Sequence, residues 1–157
     1  MPPMIALAQS LQNTEIEPFV ILGSEVPFPF DEQPARDGIN DMDYHGATHT
    51  MPLLESWNVP CRLASLQNYP GVYLGYVTDL AKVYLDGLSA EQLGAVEMYG
   101  CGPHPMLAAV AKLAKAYHLP CQVSLEENMA CAVGGCAGCV VEVKTDKPVA
   151  SQRLYRS

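Results

Sequence analysis

"EMYGCGPHPMLAAVAKLAKAYHLPCQVSL", residues 97–125, decides the fold. A strand-like stretch from about Ala95 to Tyr99 meets a turn at Gly100-Cys101-Gly102-Pro103, and a helix follows. Within it Met106, Leu107, Val110, Leu113, Ala114 and Tyr117 recur at helical spacing, until Pro120 removes a backbone donor and ends the pattern. "CQVSL" then begins another strand. A strand, a helix of this length and a second strand cannot be closed by a hairpin, so the segment reads as a parallel βαβ unit.

The same alternation extends towards the start of the chain. Met4, Ile5, Leu7, Ala8 and Leu11 predict a helix over 3–11, opened by prolines where a missing N–H does no harm. Phe19 to Leu22, closing on Gly23, is a continuous apolar run and predicts a strand buried on both faces. A short helix at 53–57, a strand at 61–65 and a helix over 77–88 follow. Residues 24–50 are rich in proline, aspartate and glycine and predict an extended surface loop or insertion. The fold class is therefore α/β, a parallel sheet with helices on both faces. Ligands of such sheets lie at the carboxyl ends of the strands, which marks Gly23 and Gly100–Pro103.

Composition narrows the chemistry. The 157 residues fit one domain, or one with a small appendage, and the net charge of −8 disfavours a polyanionic partner such as nucleic acid. No apolar run reaches the roughly 18 residues of a membrane span, and the first residues have no signal-peptide pattern, which together point to the cytoplasm. Six cysteines in such a chain suggest metal or redox chemistry rather than a disulfide framework.

Three of the six stand close together. Cys131, Cys136 and Cys139 have the spacing C-x4-C-x2-C, the plant-type [2Fe–2S] pattern apart from its last, distant cysteine. Gly134, Gly135 and Gly138 permit a tightly folded loop, and Ala130, Ala132 and Ala137 keep it free of bulky side chains. Incidental cysteines, a zinc knuckle and a dithiol redox pair are the alternatives. The single C-x2-C and the strand-like "VVEV" after it favour the cluster.

Other residues read more plainly. Cys61 and Cys121 fit core packing, whereas Cys101, between glycines at a strand end, is placed to approach a cofactor. His45 and His49 are expected in a solvated loop, and His104 and His118 at the two ends of a helix. Asp31, Glu32, Asp37, Asp41 and Asp43 lack the spacing of an oxygen-ligand loop and read as a solvated face. Tyr69, Tyr73 and Tyr76 are expected to pack against the core. No serine has a nucleophile-elbow setting.

The run "YGCGPHPML", followed by "CQVSLEE-MAC" and C-x4-C-x2-C, resembles the electron transfer subunit of the two-subunit, NAD-dependent dihydroorotate dehydrogenase, within the ferredoxin reductase superfamily. "PPMIALAQSL", "LGS" and "GYVTDL" are similar as well. The resemblance implies an incomplete NAD-binding α/β domain over 1–124 and a partial [2Fe–2S]-binding module over 125–157. The FAD-binding barrel, the first nucleotide-domain strand and the fourth cluster cysteine are expected to be missing, as in an internal fragment. It implies Cys131, Cys136 and Cys139 as cluster ligands, Gly100, Cys101, Gly102 and Pro103 beside the nicotinamide, and Glu127, with Glu126, between flavin and cluster.

The implied activity is electron transfer in pyrimidine biosynthesis, from an FMN-containing catalytic subunit through [2Fe–2S] and FAD to NAD+. On this reading the fragment is part of an NAD-dependent oxidoreductase and is not catalytically complete alone. A reductase subunit serving a hydrogenase, ferredoxin or oxygenase, or an inactive metal-binding remnant, is the alternative.

Overall fold

The structure is a computed structural model that describes residues 2–36 and 44–125. These belong to one compact unit, residues 1–125. Its elements are α1 (Pro2–Leu11), β1 (Val20–Gly23), β2 (Gln33–Pro34), β3 (His49–Thr50), α2 (Pro52–Ser56), β4 (Cys61–Ser65), β5 (Tyr73–Leu74), α3 (Val77–Asp86), α4 (Ala90–Gly94), β6 (Met98–Gly102), α5 (His104–Ala116) and β7 (Cys121–Leu125).

β4 pairs in parallel with β1 on one side and β5 on the other, and β6 pairs in parallel with β7. The expected α/β class is therefore observed. Along β1 and β4 the side chains alternate between two cores. Val20, Leu22, Cys61 and Leu63 face one core with Ala8 of α1 and Leu54 of α2. Ile21 and Ala64 face the other with Leu80, Val77, Val83 and Tyr84 of α3. Because both faces are covered, β4 carries no solvent-facing side and all five of its residues are buried.

The segment 24–50 is less bare than its composition suggests. β2 and β3 form a short antiparallel pair, and Phe28, Tyr44, Ala47 and Thr50 are buried. Tyr44 stacks on Phe19, which stacks on Tyr84. Proline and glycine here punctuate a packed excursion, because aromatic residues spaced along it reach back to the cores. Asp37, Asp41 and Asp43 lie outside the described residues.

Two boundaries shift. Residues 90–94 form α4, which begins with a capping box: Ser89 Oγ accepts from the Gln92 N–H at 3.2 Å, and Gln92 Oε1 accepts from the Ser89 N–H at 2.9 Å. With Ala95 closing that helix, β6 begins only at Met98 and runs through Gly102. Gly100–Gly102 are thus strand residues rather than a turn, held by pairing with Val123–Leu125.

The C-terminus of α5 is set before Pro120. His118 takes a left-handed φ of 56°, its N–H donates to Lys115 O, and the Leu119 N–H donates to Ala114 O. This closes a Schellman motif with histidine where glycine is usual. Asn58 does the same after α2, with φ 56° and a Val59 N–H donating to Leu54 O at 2.9 Å. At the neighbouring ends of α3 and α5, the Tyr117 hydroxyl donates to Asp86, which also pairs with Lys82 at 2.5 Å. Those hydrogen bonds hold the Asp86 carboxyl below its usual range.

Candidate cofactor site at the strand ends

The four residues expected beside a nicotinamide lie at the carboxyl end of β6 and the start of α5. Backbone alternation divides them. Gly100 and Gly102 are buried on the side of α5, where a Cβ on Gly100 would stand 3.3 Å from Leu107 Cδ2 and 3.4 Å from Val110 Cγ1. A Cβ on Gly102 would meet Met106 Cε at 2.7 Å. The two glycines let a helix lie directly on the strand. Cys101 points the opposite way and is half-buried, and Pro103 is exposed as the residue preceding the first turn of α5. Only Cys101 and Pro103 therefore present side chains beyond the strand–helix contact.

The other marked strand end is built on the same principle. At Gly23 a Cβ would lie 2.5 Å from Val77 Cγ1, so the end of β1 touches the first residue of α3. The Ser24 N–H donates to Ala64 O, and buried Ser65 receives the Gln67 N–H on its hydroxyl at 3.0 Å. Tyr69 and Tyr73 pack against the cores as expected, whereas Tyr76 is exposed.

Cys61 is fully buried and its thiol is pushed up to about 11, chiefly by burial. Cys121 is partly buried and shifted upward for the same reason. Cys61 is a core packing residue, as expected, whereas Cys121 at the start of β7 is only partly buried. His45 occupies a left-handed turn position with φ 52° and is exposed. His49 is not in a solvated loop: it lies in β3, half-buried, with its ring over Gly71 and Nδ1 3.1 Å from Thr48 Oγ1. The short β2–β3 pair draws it inward.

Two buried charges escape a reading based on motifs. Glu55 Oε1 accepts the Arg36 N–H at 2.8 Å and lies 3.6 Å from Arg36 Nε. Arg62 donates from Nη1 to Cys61 O at 2.8 Å and lies over the Tyr44 ring at 4.9 Å. An arginine inside the strand-like "CRLAS" was the available signal for a polar anchor.

Cys131, Cys136, Cys139, Glu126 and Glu127 lie outside the described residues. Comparison with known proteins bears on that segment. Residues 126–154 match the family described as the iron-sulfur cluster binding domain of dihydroorotate dehydrogenase B. The segment that follows the described α/β unit in sequence is thus similar to an iron–sulfur cluster binding domain.

Curated relatives extend the similarity to more of the chain. The chain is 45% identical over 67 residues to the dihydroorotate dehydrogenase B (NAD(+)), electron transfer subunit, of Caldanaerobacter subterraneus, covering 42% of this chain and 27% of that protein. It is 29% identical over 149 residues to the subunit of the same name from Listeria welshimeri, covering 94% of this chain and 46% of that protein. These matches bear out the resemblance: the chain is similar to electron transfer subunits of dihydroorotate dehydrogenase B. It spans less than half the length of these relatives. No solved structure matches. No helix among the described residues is long and apolar enough to cross a membrane.

Proposed function

We propose that this chain forms part of an electron transfer subunit that takes electrons from the FMN of a catalytic dihydroorotate dehydrogenase subunit and delivers them to NAD+. The observation that carries the reading is the family match over 126–154, which encloses all three cysteines of the C-x4-C-x2-C spacing. In the complete subunit FAD and a [2Fe–2S] cluster complete the path.

The donor set fits such a cluster in type and spacing. Cys131, Cys136 and Cys139 supply three thiolates, the soft ligands that iron–sulfur clusters require. A fourth ligand lies outside this C-x4-C-x2-C spacing. When bound, the cluster carries one electron at a time between two-electron carriers. Gly134, Gly135 and Gly138 in the sequence would let backbone N–H groups approach the thiolate sulfurs and stabilise their charge. Glu127, with Glu126, is assigned a place between flavin and cluster.

Cys101 and Pro103, with Gly100 and Gly102 beneath them, are assigned to the nicotinamide. The support is their position at the carboxyl end of a parallel strand, with one half-buried side chain turned away from α5.

Anaerobic reconstitution of the 157-residue chain with iron and sulfide, then reduction, tests the cluster. The expected EPR spectrum is the rhombic signal of a reduced [2Fe–2S] centre, lost on Cys136→Ser. A chain that retains zinc and gives no signal overturns the assignment. Dihydroorotate-dependent reduction of NAD+ by the full-length subunit with the catalytic subunit tests the partner.

A further inference from the structure

Four buried side-chain polar atoms have no hydrogen-bond partner among the described residues: Tyr44 OH, Thr50 Oγ1, Glu55 Oε2 and Arg62 Nε. A buried donor or acceptor left unpaired is costly, so each calls for water, an ion or a ligand. Two of the four belong to side chains in direct contact. The Arg62 guanidinium lies over the Tyr44 ring, with Cζ 4.9 Å from the centroid, and the two residues are 8% and 4% exposed.

Arg62 is also a charge out of balance. Among the described residues the ion pairs are Arg36 with Glu55 and Lys82 with Asp86, and Arg62 belongs to neither. Its Nη1 donates to Cys61 O, a neutral acceptor that leaves the charge uncompensated. A cation taken out of water without a counter-charge destabilises the fold. The face of the Tyr44 ring offsets part of that cost and carries no net negative charge.

Both donors are held before any ion arrives. The Nη1 bond fixes the guanidinium near the amino end of β4, and Tyr44 is stacked on Phe19, itself stacked on Tyr84. The surroundings are apolar. Ala64 and Leu80 share a core with Tyr44, and Phe19 and Ile21 pack against it.

We propose that Arg62 Nε and Tyr44 OH bind one weakly hydrated monovalent anion of the halide class. One guanidinium balances one negative charge. Two donors between apolar walls suffice for a spherical ion, whereas they would leave most oxygens of a phosphate or sulfate dehydrated and unpaired. Glu55 is excluded as a ligand by its like charge. The ion ties Tyr44, in the 24–50 segment, to the central strand β4, and it does so independently of the function proposed above.

Line broadening of the 35Cl NMR signal by the 157-residue chain tests this, with ionic strength held constant by sodium sulfate. Chloride exchanging with the site broadens the signal, and bromide should compete and sharpen it. Tyr44→Phe keeps the ring and removes one donor, so it should weaken chloride binding by about tenfold, as loss of a hydrogen bond to a charged group does. Arg62→Met should abolish binding, and Lys112→Met, at an exposed position of α5, should leave it unchanged. Circular dichroism establishes that each variant is folded; if Arg62→Met is not, Tyr44→Phe decides alone. Three results overturn the proposal. The first is no excess broadening by the folded chain, as when water satisfies both donors. The second is broadening undiminished in Tyr44→Phe, which marks an adventitious ion only. The third is broadening that arises only after Asp41→Asn and Asp43→Asn, which assigns the counter-charge to the chain itself.

Discussion

β4 and β7 are parallel strands of equal length that begin on the same residue type, "CRLAS" and "CQVSL", and their surroundings are opposite. β4 has a strand on each side and a core on each face, and every residue is buried. β7 ends its ladder, and Gln122 to Leu125 are exposed. The difference teaches that burial follows position in the sheet more than strand composition. It also separates a stability centre around β4 from a strand pair, β6–β7, that carries the candidate nicotinamide residues.

The largest effect that would break this division is a core deletion. Leu63 is 0% exposed, so Leu63→Ala should cost about 2–5 kcal/mol, the range for removing a buried leucine and leaving a cavity. Val123, 45% exposed at the corresponding third position of β7, should lose only about 0.5 kcal/mol when changed to alanine. Chemical denaturation of the two variants measures both. Similar losses would show that β7 is part of the same stability centre.

The cysteines that open the two strands sharpen the contrast next. The Cys61 thiol is raised by burial from 9.0 to about 11. Below pH 9 the thiol is protonated in both folded and unfolded chains, and its contribution is constant. As pH rises from 9 towards 11 the unfolded chain loses this proton first, so folding stability falls, by about 2–3 kcal/mol over the window. Cys61→Ala should flatten that part of the stability–pH curve. Near neutral pH, iodoacetamide should label Cys121 in the folded chain and reach Cys61 only through unfolding, as mass spectrometry of the labelled peptides would report.

Much of the architecture was legible. Helix periodicity at 106–117 and the apolar run at 19–22 specify elements locally, and alternation of strand and helix specifies the parallel class. What escaped depended on contacts distant in sequence. The two-residue strands β2, β3 and β5 are too short to carry a period, and exist because β4 and the aromatic stack of Phe19, Tyr44 and Tyr84 hold them. α4 was legible in principle from Ser89 and Gln92, and missing it displaced the start of β6 by three residues. At the candidate site, Gly100 and Gly102 were marked by their place at a strand's carboxyl end, and the geometry adds a packing role under α5. Spacing alone pointed to the cysteine cluster, because thiolate ligation is written in short local intervals.

The smallest effect distinguishes the two strand ends where ligands were expected. At Gly23 a new Cβ would meet Val77 Cγ1 at 2.5 Å, and a β-branched side chain in the first turn of a helix has little rotamer freedom to withdraw. Gly23→Ala should therefore cost about 1–3 kcal/mol, as overpacking does, and Val77→Ala should relieve most of it in a double-mutant cycle. At Gly102 the new Cβ would meet the terminal methyl of Met106 at 2.7 Å. Methionine is unbranched and yields by rotation, so Gly102→Ala should cost less than about 1 kcal/mol. Thermal denaturation of the variants and the cycle decides the point. If Gly102→Ala proved the more damaging, α5 would be seated on β6 as rigidly as α3 on β1, and the strand pair carrying the candidate site would not be the more adaptable of the two.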